Sequence, residues 1–394
     1  MSAPRVLVVS PRFPLPLQSG TQLRVYYSLR ALAERFDVTL VSLVQQGEGA
    51  DRVGEIEELG VEVRTIPHDR SKPSSLARFA LSRVPYRVAK FDTNPFREAV
   101  RETLAESDFD LVWIHFLTTL ASLPTVSSTP LVVDQHNETI EYWDSFRRGN
   151  AGERLFARIN QARLRRLRKR VVPTIDTVLS VSEGDAEATR KWADCPVQVV
   201  PNGIDTDQFI ASKPASEAGK RVAFVGSLNV RMNEEALAWF VEESWPRVRD
   251  RHPEASFSIV GRSPSSRVRK LNDQLGVEVV GPVPEVEPYY ERSAVMVAPF
   301  AFGGGTKLKI LEALSMERGL VTTPTGAVGI DIEDGRHALV CNRDGSFADG
   351  VADLIEDPAE RSRLGANGRE LVRERYDWDR VMSQALNRVT ETLL

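Results

Sequence analysis

Residues 302–315 read FGGGTKLKILEALS. Gly303, Gly304 and Gly305 follow the apolar run AVMVAPF and lead into a helical pattern from about Thr306. Glycines let backbone N–H groups approach a ligand closely. A helix start adds unpaired amides and the positive end of a dipole. Strand, glycine turn and helix N-terminus together suit an anion, and Lys307 and Lys309 add charges that suit phosphate. Glu312 lies one turn deeper, too far in to be a cap. A carboxylate beside a nucleotide's diphosphate commonly accepts hydrogen bonds from ribose hydroxyls. The same letters also fit a glycine turn before a buried helix with its lysines in solvent, and both readings stand at this point.

A second turn of this kind follows the first apolar run, RVLVVS, at Ser19-Gly20-Thr21, where Gly20 would let a helix start approach an anion; an ordinary loop is the alternative. Neither place carries a G-x-G-x-x-G fingerprint or a Walker A spacing. His136 stands in DQHNE at the expected carboxyl end of a strand. A lone histidine there suits either chemistry or a satisfied structural role. Asp205-Thr206-Asp207 spells the carboxylate pair of metal-dependent transferases, but within PNGIDTDQF it reads as turn and capping chemistry.

Short β-branched runs must position these groups. They fall at 5–10, 37–43, 61–66, 110–115, 130–134, 176–182 and 197–200, and again at 221–226, 257–261, 277–281, 294–299, 319–323 and 337–341. Most are apolar on both faces, as parallel strands covered by helices must be. Helical patterns such as GTQLRVYYSLRALAERF and NEEALAWFVEESWPRVRD alternate with them. The fold class is therefore α/β, with doubly wound parallel sheets. A chain of 394 residues exceeds one ordinary core. The alternation restarts after a turn-rich stretch, which places a boundary near 201–220. In open sheets of this kind ligands sit outside the carboxyl ends of the strands, so a cleft between two facing sheets is the expected active site.

Charge is uneven: residues 1–200 carry net +2 and the remainder net −6. The overall −4 argues against a nucleic-acid partner. Cys195 and Cys341 are too few for a disulfide framework or a four-thiolate metal site, which makes a reducing cytoplasm the expected compartment. The opening MSAPRVLVVS reads as a first strand, too short for a secretory signal, and no run is long and apolar enough for a membrane span.

The order PRFPLPLQSGTQLRVYYSLRALAERFDVTLVSL, DQHNETIEYW, SVSEGDA, PNGIDTDQF, FVGSLNVRMNEEALAWF, IVGRSP and FGGGTKLKILEALSMERGLVTTPTGAVGI resembles a family 4 retaining glycosyltransferase of the GT-B fold, over nearly the whole chain. The resemblance implies two Rossmann-like domains facing across a cleft: an acceptor-binding domain over 1–203, a donor-binding domain over 204–375, and a C-terminal helix over 376–394 that crosses back to the first. It implies a nucleotide-diphosphate sugar as donor, no cofactor and no metal. By the same resemblance Gly20, Ser227, Gly304 and the amides of Gly305, Thr306, Lys307 and Leu308 hold the diphosphate and sugar. His136 lies near the transferred sugar, Glu312 binds the ribose, and Arg262 and Val283 flank the base. The sequence departs from the family's pattern in two places. The first glutamate of its Glu–seven residues–Glu motif is Gly304 here. Ser227 and Asn233 stand near the positions of a customary arginine and lysine. Arg231, Lys307 and Lys309 are the residues that can supply the missing charge, which places Arg231 and Lys309 beside His136 as catalytic candidates. An inverting transferase, a nucleotide-sugar epimerase and a catalytically silent nucleotide-sugar-binding protein are the alternatives.

ERLFARINQARLRRLRKR has eight basic residues between 154 and 170, and SLARFALSRVPYRVAKF mixes arginines with Phe79, Leu81, Tyr86 and Phe91. Each is either a solvated helix face or a surface that meets anionic lipid. The latter implies a carbohydrate or lipid-linked acceptor and a peripheral place on the inner face of the cytoplasmic membrane, with surface polysaccharide or glycolipid assembly as the setting.

Overall fold

The computed structural model describes residues 3–45, 49–68, 71–124, 129–136, 150–303 and 305–394. The chain divides into two compact units, Met1–Asn202 with Val381–Leu394, and Gly203–Arg380. In the first, β1 (Arg5–Ser10), β2 (Asp37–Gln45), β3 (Val61–His68), β4 (Leu111–His115), β5 (Leu131–Gln135), β6 (Thr177–Ser180) and β7 (Val197–Val199) form one sheet in the order β3-β2-β1-β4-β5-β6-β7. Every pairing is parallel, and Val6 sits opposite both Val38 and Leu111. Inner strands are buried along their length, which is why their sequences are apolar throughout. Four helices matter below: α1 (Gly20–Ala33), α2 (Lys72–Leu81), α3 (Tyr86–Phe91) and α4 (Ala151–Val171). Ser19 caps α1 by accepting from the amide of Gln22. A reciprocal Asn150–Glu153 pair starts α4.

The second unit repeats the plan. β8 (Arg221–Val225), β9 (Ser256–Val260), β10 (Val277–Gly281), β11 (Val295–Ala298), β12 (Gly319–Thr322) and β13 (Leu339–Val340) form a parallel sheet in the order β10-β9-β8-β11-β12-β13. Its helices include α5 (Arg231–Trp239), α6 (Glu287–Glu291) and α7 (Leu308–Ser315), while nearly all of the closing α8 (Trp378–Leu393) belongs to the first unit. In each sheet the strand order reverses beside the first strand, between β1 and β4 and between β8 and β11. In open parallel sheets ligands sit outside the carboxyl ends of the strands beside such a reversal.

Two details differ from the sequence expectation or decide between its alternatives, and a third refines it. The helix expected from Thr306 begins at Leu308; Lys307 precedes it in an extended conformation and its side chain makes no cap bond. The helix after β8 runs on through a widened turn at Phe240–Ser244 into Trp245–Arg251. Asp205 accepts from the amides of Asp207 (3.0 Å) and Gln208 (2.9 Å), and Thr206 donates to Asp377 (2.8 Å), so the Asp-Thr-Asp segment is a turn. The last stretch of the chain belongs to the first unit. Val381, Met382, Ala385, Leu386 and Val389 are buried, and Arg35 donates to Asn387 and Ser383.

Candidate active site

In the second unit the turns after β8 and β11 meet at the point where strand order reverses. The glycine corner uses left-handed backbone at Gly303 (φ 119°) and Gly305 (φ 68°), conformations that cost side-chain-bearing residues dearly. Gly304 lies outside the described residues. Lys307 is buried, and its ammonium donates to the carbonyls of Gly303 (3.4 Å) and Gly305 (3.3 Å). This lysine ties the corner together from within, where the sequence suggested an outward charge. Thr306 is buried too and donates to Gly329 O.

Lys309, in the first turn of α7, reaches toward β8. Its Nζ donates to Asn233 Oδ1 (3.3 Å) and lies over the rings of Phe224 (5.4 Å) and Phe300 (5.1 Å). Asn233 donates in turn to Ser227 O (2.8 Å), and Arg262 donates to Ser227 Oγ (3.3 Å). A Cβ at Gly226 would stand 2.8 Å from Lys309 Cε, so the glycine after β8 leaves room for the lysine stem. Burial pushes the Lys309 ammonium down to about 8, against the pull of Glu312. Glu312, on the next turn, is half-buried. Burial raises its carboxyl, while the hydroxyl of Tyr290 at 2.5 Å and the charge of Lys309 oppose that rise. Arg231, at the first position of α5, and Arg262 are exposed, and Val283 packs partly against the core. The structure thus links Ser227, Asn233, Arg262 and Lys309 by hydrogen bonds, with Glu312 a turn away. Among the described residues no hydrogen bond joins Val283 or Arg231 to that network.

In the first unit His136 follows β5 and is buried. Its Nε2 is 3.0 Å from His115 Nδ1, at the end of β4, and its ring stacks on Phe116 at 4.2 Å. Phe116 itself has φ 69°, an unusual conformation for a bulky residue. Asp134 completes the cluster, 3.4 Å from His115 and 3.8 Å from His136. Arg24 of α1, fully buried, donates from Nε to both Asp134 oxygens (2.8 and 2.9 Å) and from Nη1 to Val200 O and Asn202. Burial alone would raise Asp134; the Arg24 charge and His115 hold it well below the usual carboxylate range. Burial, aided by His115, Arg24 and Arg87, keeps His136 well below the usual imidazole range despite Asp134, so the ring is neutral at pH 7. His115, Asp134 and His136 bring three metal-ligand atoms within 4.8 Å of one another. Both Asp134 oxygens already accept from the Arg24 guanidinium. Gly20 is the first residue of α1, four residues before Arg24.

Helices α2, α3 and α4 unite the two basic segments. Tyr86 N donates to Asn160 Oδ1 (2.7 Å), Phe79 and Phe156 stack at 4.7 Å, and Arg163 lies over Phe79 at 4.2 Å while donating to Phe79 O and Val84 O. Leu81 (90%) and Leu155 (59%) are far more exposed than large apolar side chains usually are, and Arg158, Arg165, Arg166 and Lys169 are exposed on α4. Among the described residues no helix is long and apolar enough to cross a membrane.

Two family models match this chain: Glycosyltransferase Family 4 over residues 18–208 and Glycosyl transferases group 1 over residues 219–357. The chain is a glycosyltransferase of the group 1 and family 4 type. The transferase is 25% identical over 335 residues to a phosphatidyl-myo-inositol mannosyltransferase of Mycobacterium tuberculosis, covering 79% of this chain and 82% of that one. In fold it matches sucrose-phosphate synthase from Thermosynechococcus elongatus (TM-score 0.71, 18% identity, 99% and 98% of the two chains). It likewise matches the Anabaena protein HepE in complex with UDP and glucose (TM-score 0.69, 14% identity, 98% and 99%). These neighbours identify the two Rossmann-like units as the GT-B fold. Reading the transferase's sequence singled out neither Arg24, His115, Asp134 nor Tyr290. The available signal was positional: WIH and VDQH put polar side chains at the carboxyl ends of two apolar strands.

Proposed function

We propose that this transferase moves a sugar from a nucleotide-diphosphate donor to an acceptor hydroxyl with retention of configuration and without a metal. The observation that carries the reading is the corner where the turns after β8 and β11 meet: the uncapped start of α7 carries Lys309 there, and Glu312 stands one turn along. Breaking the bond between the anomeric carbon and the diphosphate sends the electron pair to a phosphate oxygen. The amides of Gly305 to Leu308, with Lys309 and Arg231, stabilise that charge, and removing one such donor typically costs about 3 kcal/mol. The acceptor oxygen bonds to the anomeric carbon on the face the diphosphate leaves, and its proton passes to the leaving phosphate oxygen. His136, neutral and fixed by His115, acts as a hydrogen-bonding partner of the transferred sugar. Glu312 takes the ribose, with Arg262 and Val283 beside the base.

The test is a thermal-shift screen with nucleoside diphosphates and their sugars, followed by incubation of the preferred donor with candidate acceptors and NMR of the product anomer. Stabilisation by a nucleotide sugar and a retained anomer are expected. An inverted anomer points to an inverting enzyme, conversion of donor without acceptor to an epimerase, and binding without turnover to a silent protein. Activity abolished by a chelator and restored by Mn²⁺ would overturn the metal-free reading.

The α2–α4 surface supports a lipid-linked acceptor at an anionic bilayer. Exposed leucines beside clustered arginines give both the apolar and the electrostatic part of such binding. Flotation with vesicles containing phosphatidylglycerol, but not with neutral phosphatidylcholine vesicles, is expected, and should weaken about tenfold in a Leu81→Ser, Leu155→Ser variant. Equal behaviour on both vesicle types sinks this part of the reading.

A further inference from the structure

Tyr290 is fully buried, yet it carries a hydroxyl where a phenylalanine would fill the same space. A buried phenol is tolerated only with a partner. Its partner is a single atom, Glu312 Oε2, at 2.5 Å. Burial and the neighbouring Glu312 and Glu287 hold the phenol well above its usual range, so it stays protonated and can only donate to the carboxylate. The ring is fixed in the core of the second unit, edge-on to Phe209 at 6.2 Å. Glu312 is thus anchored at one oxygen by a side chain packed wholly within the core. Among the described residues no hydrogen bond engages the other oxygen of Glu312, and the residue is half-exposed. The core thus holds one oxygen of a carboxylate that stands on the helix whose first turn carries Lys309.

We infer that Tyr290 is a positioning residue for donor recognition: it sets the rotamer of Glu312 so that Oε1 faces the vicinal hydroxyls of a nucleotide ribose. The inference rests on the reading of Glu312 as the ribose ligand. Without the phenol, Glu312 gains freedom to rotate and loses the partner that opposes its protonation, and both effects weaken its hold on a diol. Contacts to the diphosphate and base come from other residues and are untouched.

The test compares nucleoside diphosphates with their 2′,3′-dideoxy forms, using ADP, GDP, CDP and UDP and calorimetric titration of the intact protein. Wild type should prefer the ribonucleotide of its chosen base by about tenfold or more, the worth of a hydrogen bond to a charged group. Tyr290→Phe, which keeps the ring and its packing on Phe209, should lose most of that preference by weakening the ribonucleotide while leaving the dideoxy form within about twofold. Glu312→Ala should abolish the preference. A Tyr290→Phe protein that weakens both forms equally, or changes neither, overturns the inference and leaves the ribose reading intact. A wild type that binds both forms alike, or binds none of the four nucleotides, overturns the ribose reading and the inference with it.

Discussion

Lys309 is the residue whose chemistry the site depends on most directly. Its ammonium lies over two phenyl rings and donates to one amide oxygen, and burial is why its proton is held only to about 8. A lysine in this state is charged at pH 7 and loses its charge as pH rises. The free enzyme's kcat/KM should therefore fall through pH of about 8, measured as a pH–rate profile with the preferred donor. Lys309→Ala should lower kcat/KM by about a hundredfold and remove that limb. A profile flat to pH 10 would mean the ammonium does not meet the leaving group. Lys307 shows why residue type alone misleads. Two positions away, with the same chemistry, it turns inward because the left-handed glycines point their carbonyls at it.

At the scale of elements, the loop after β11 works because three features agree. Strand β11 ends at the switch point, the glycines bend the chain sharply, and α7 starts with no side-chain cap, so its first amides have no partner from a capping side chain. Gly303 is the least replaceable part. Its φ of 119° suits glycine, and a Cβ there would lie 2.2 Å from Met232 Sδ on α5. Gly303→Ala should destabilise the second unit by about 1–3 kcal/mol and weaken nucleotide binding, read by thermal melting with and without ligand. Adding Met232→Ala relieves the clash but not the backbone strain, so recovery should be partial; full recovery would show the conformation to be unstrained. The strands were legible from their β-branched, two-face-apolar runs, because a buried parallel strand leaves its mark on every residue. The start of α7 was misplaced by two residues, because the glycine corner and the turn of Lys307 back onto it extend the loop beyond the point where the apolar period begins.

In the whole molecule, one chain builds two sheets with the same reversal of strand order; in the second, Lys309 stands at that reversal, and in the first, His136 follows β5, one strand beyond it. The returning Val381–Leu394 segment shows how far apart in sequence the parts of one core can lie, since Arg35 bonds residues about 350 positions away. The basic helices make the same point. Two segments each ambiguous in the sequence share one surface, because Phe79, Tyr86 and Phe156 form a common aromatic cluster beneath them. The sequence by itself determined the strand–helix alternation, the turn that restarts it, and the glycine–lysine corner, because periodicity and backbone demands are local. Tertiary structure alone decided that Arg24 neutralises Asp134, that His115 holds His136, and that Tyr290 anchors Glu312. Each is a pairing between side chains from separate elements, fixed by burial and charge rather than by spacing along the chain.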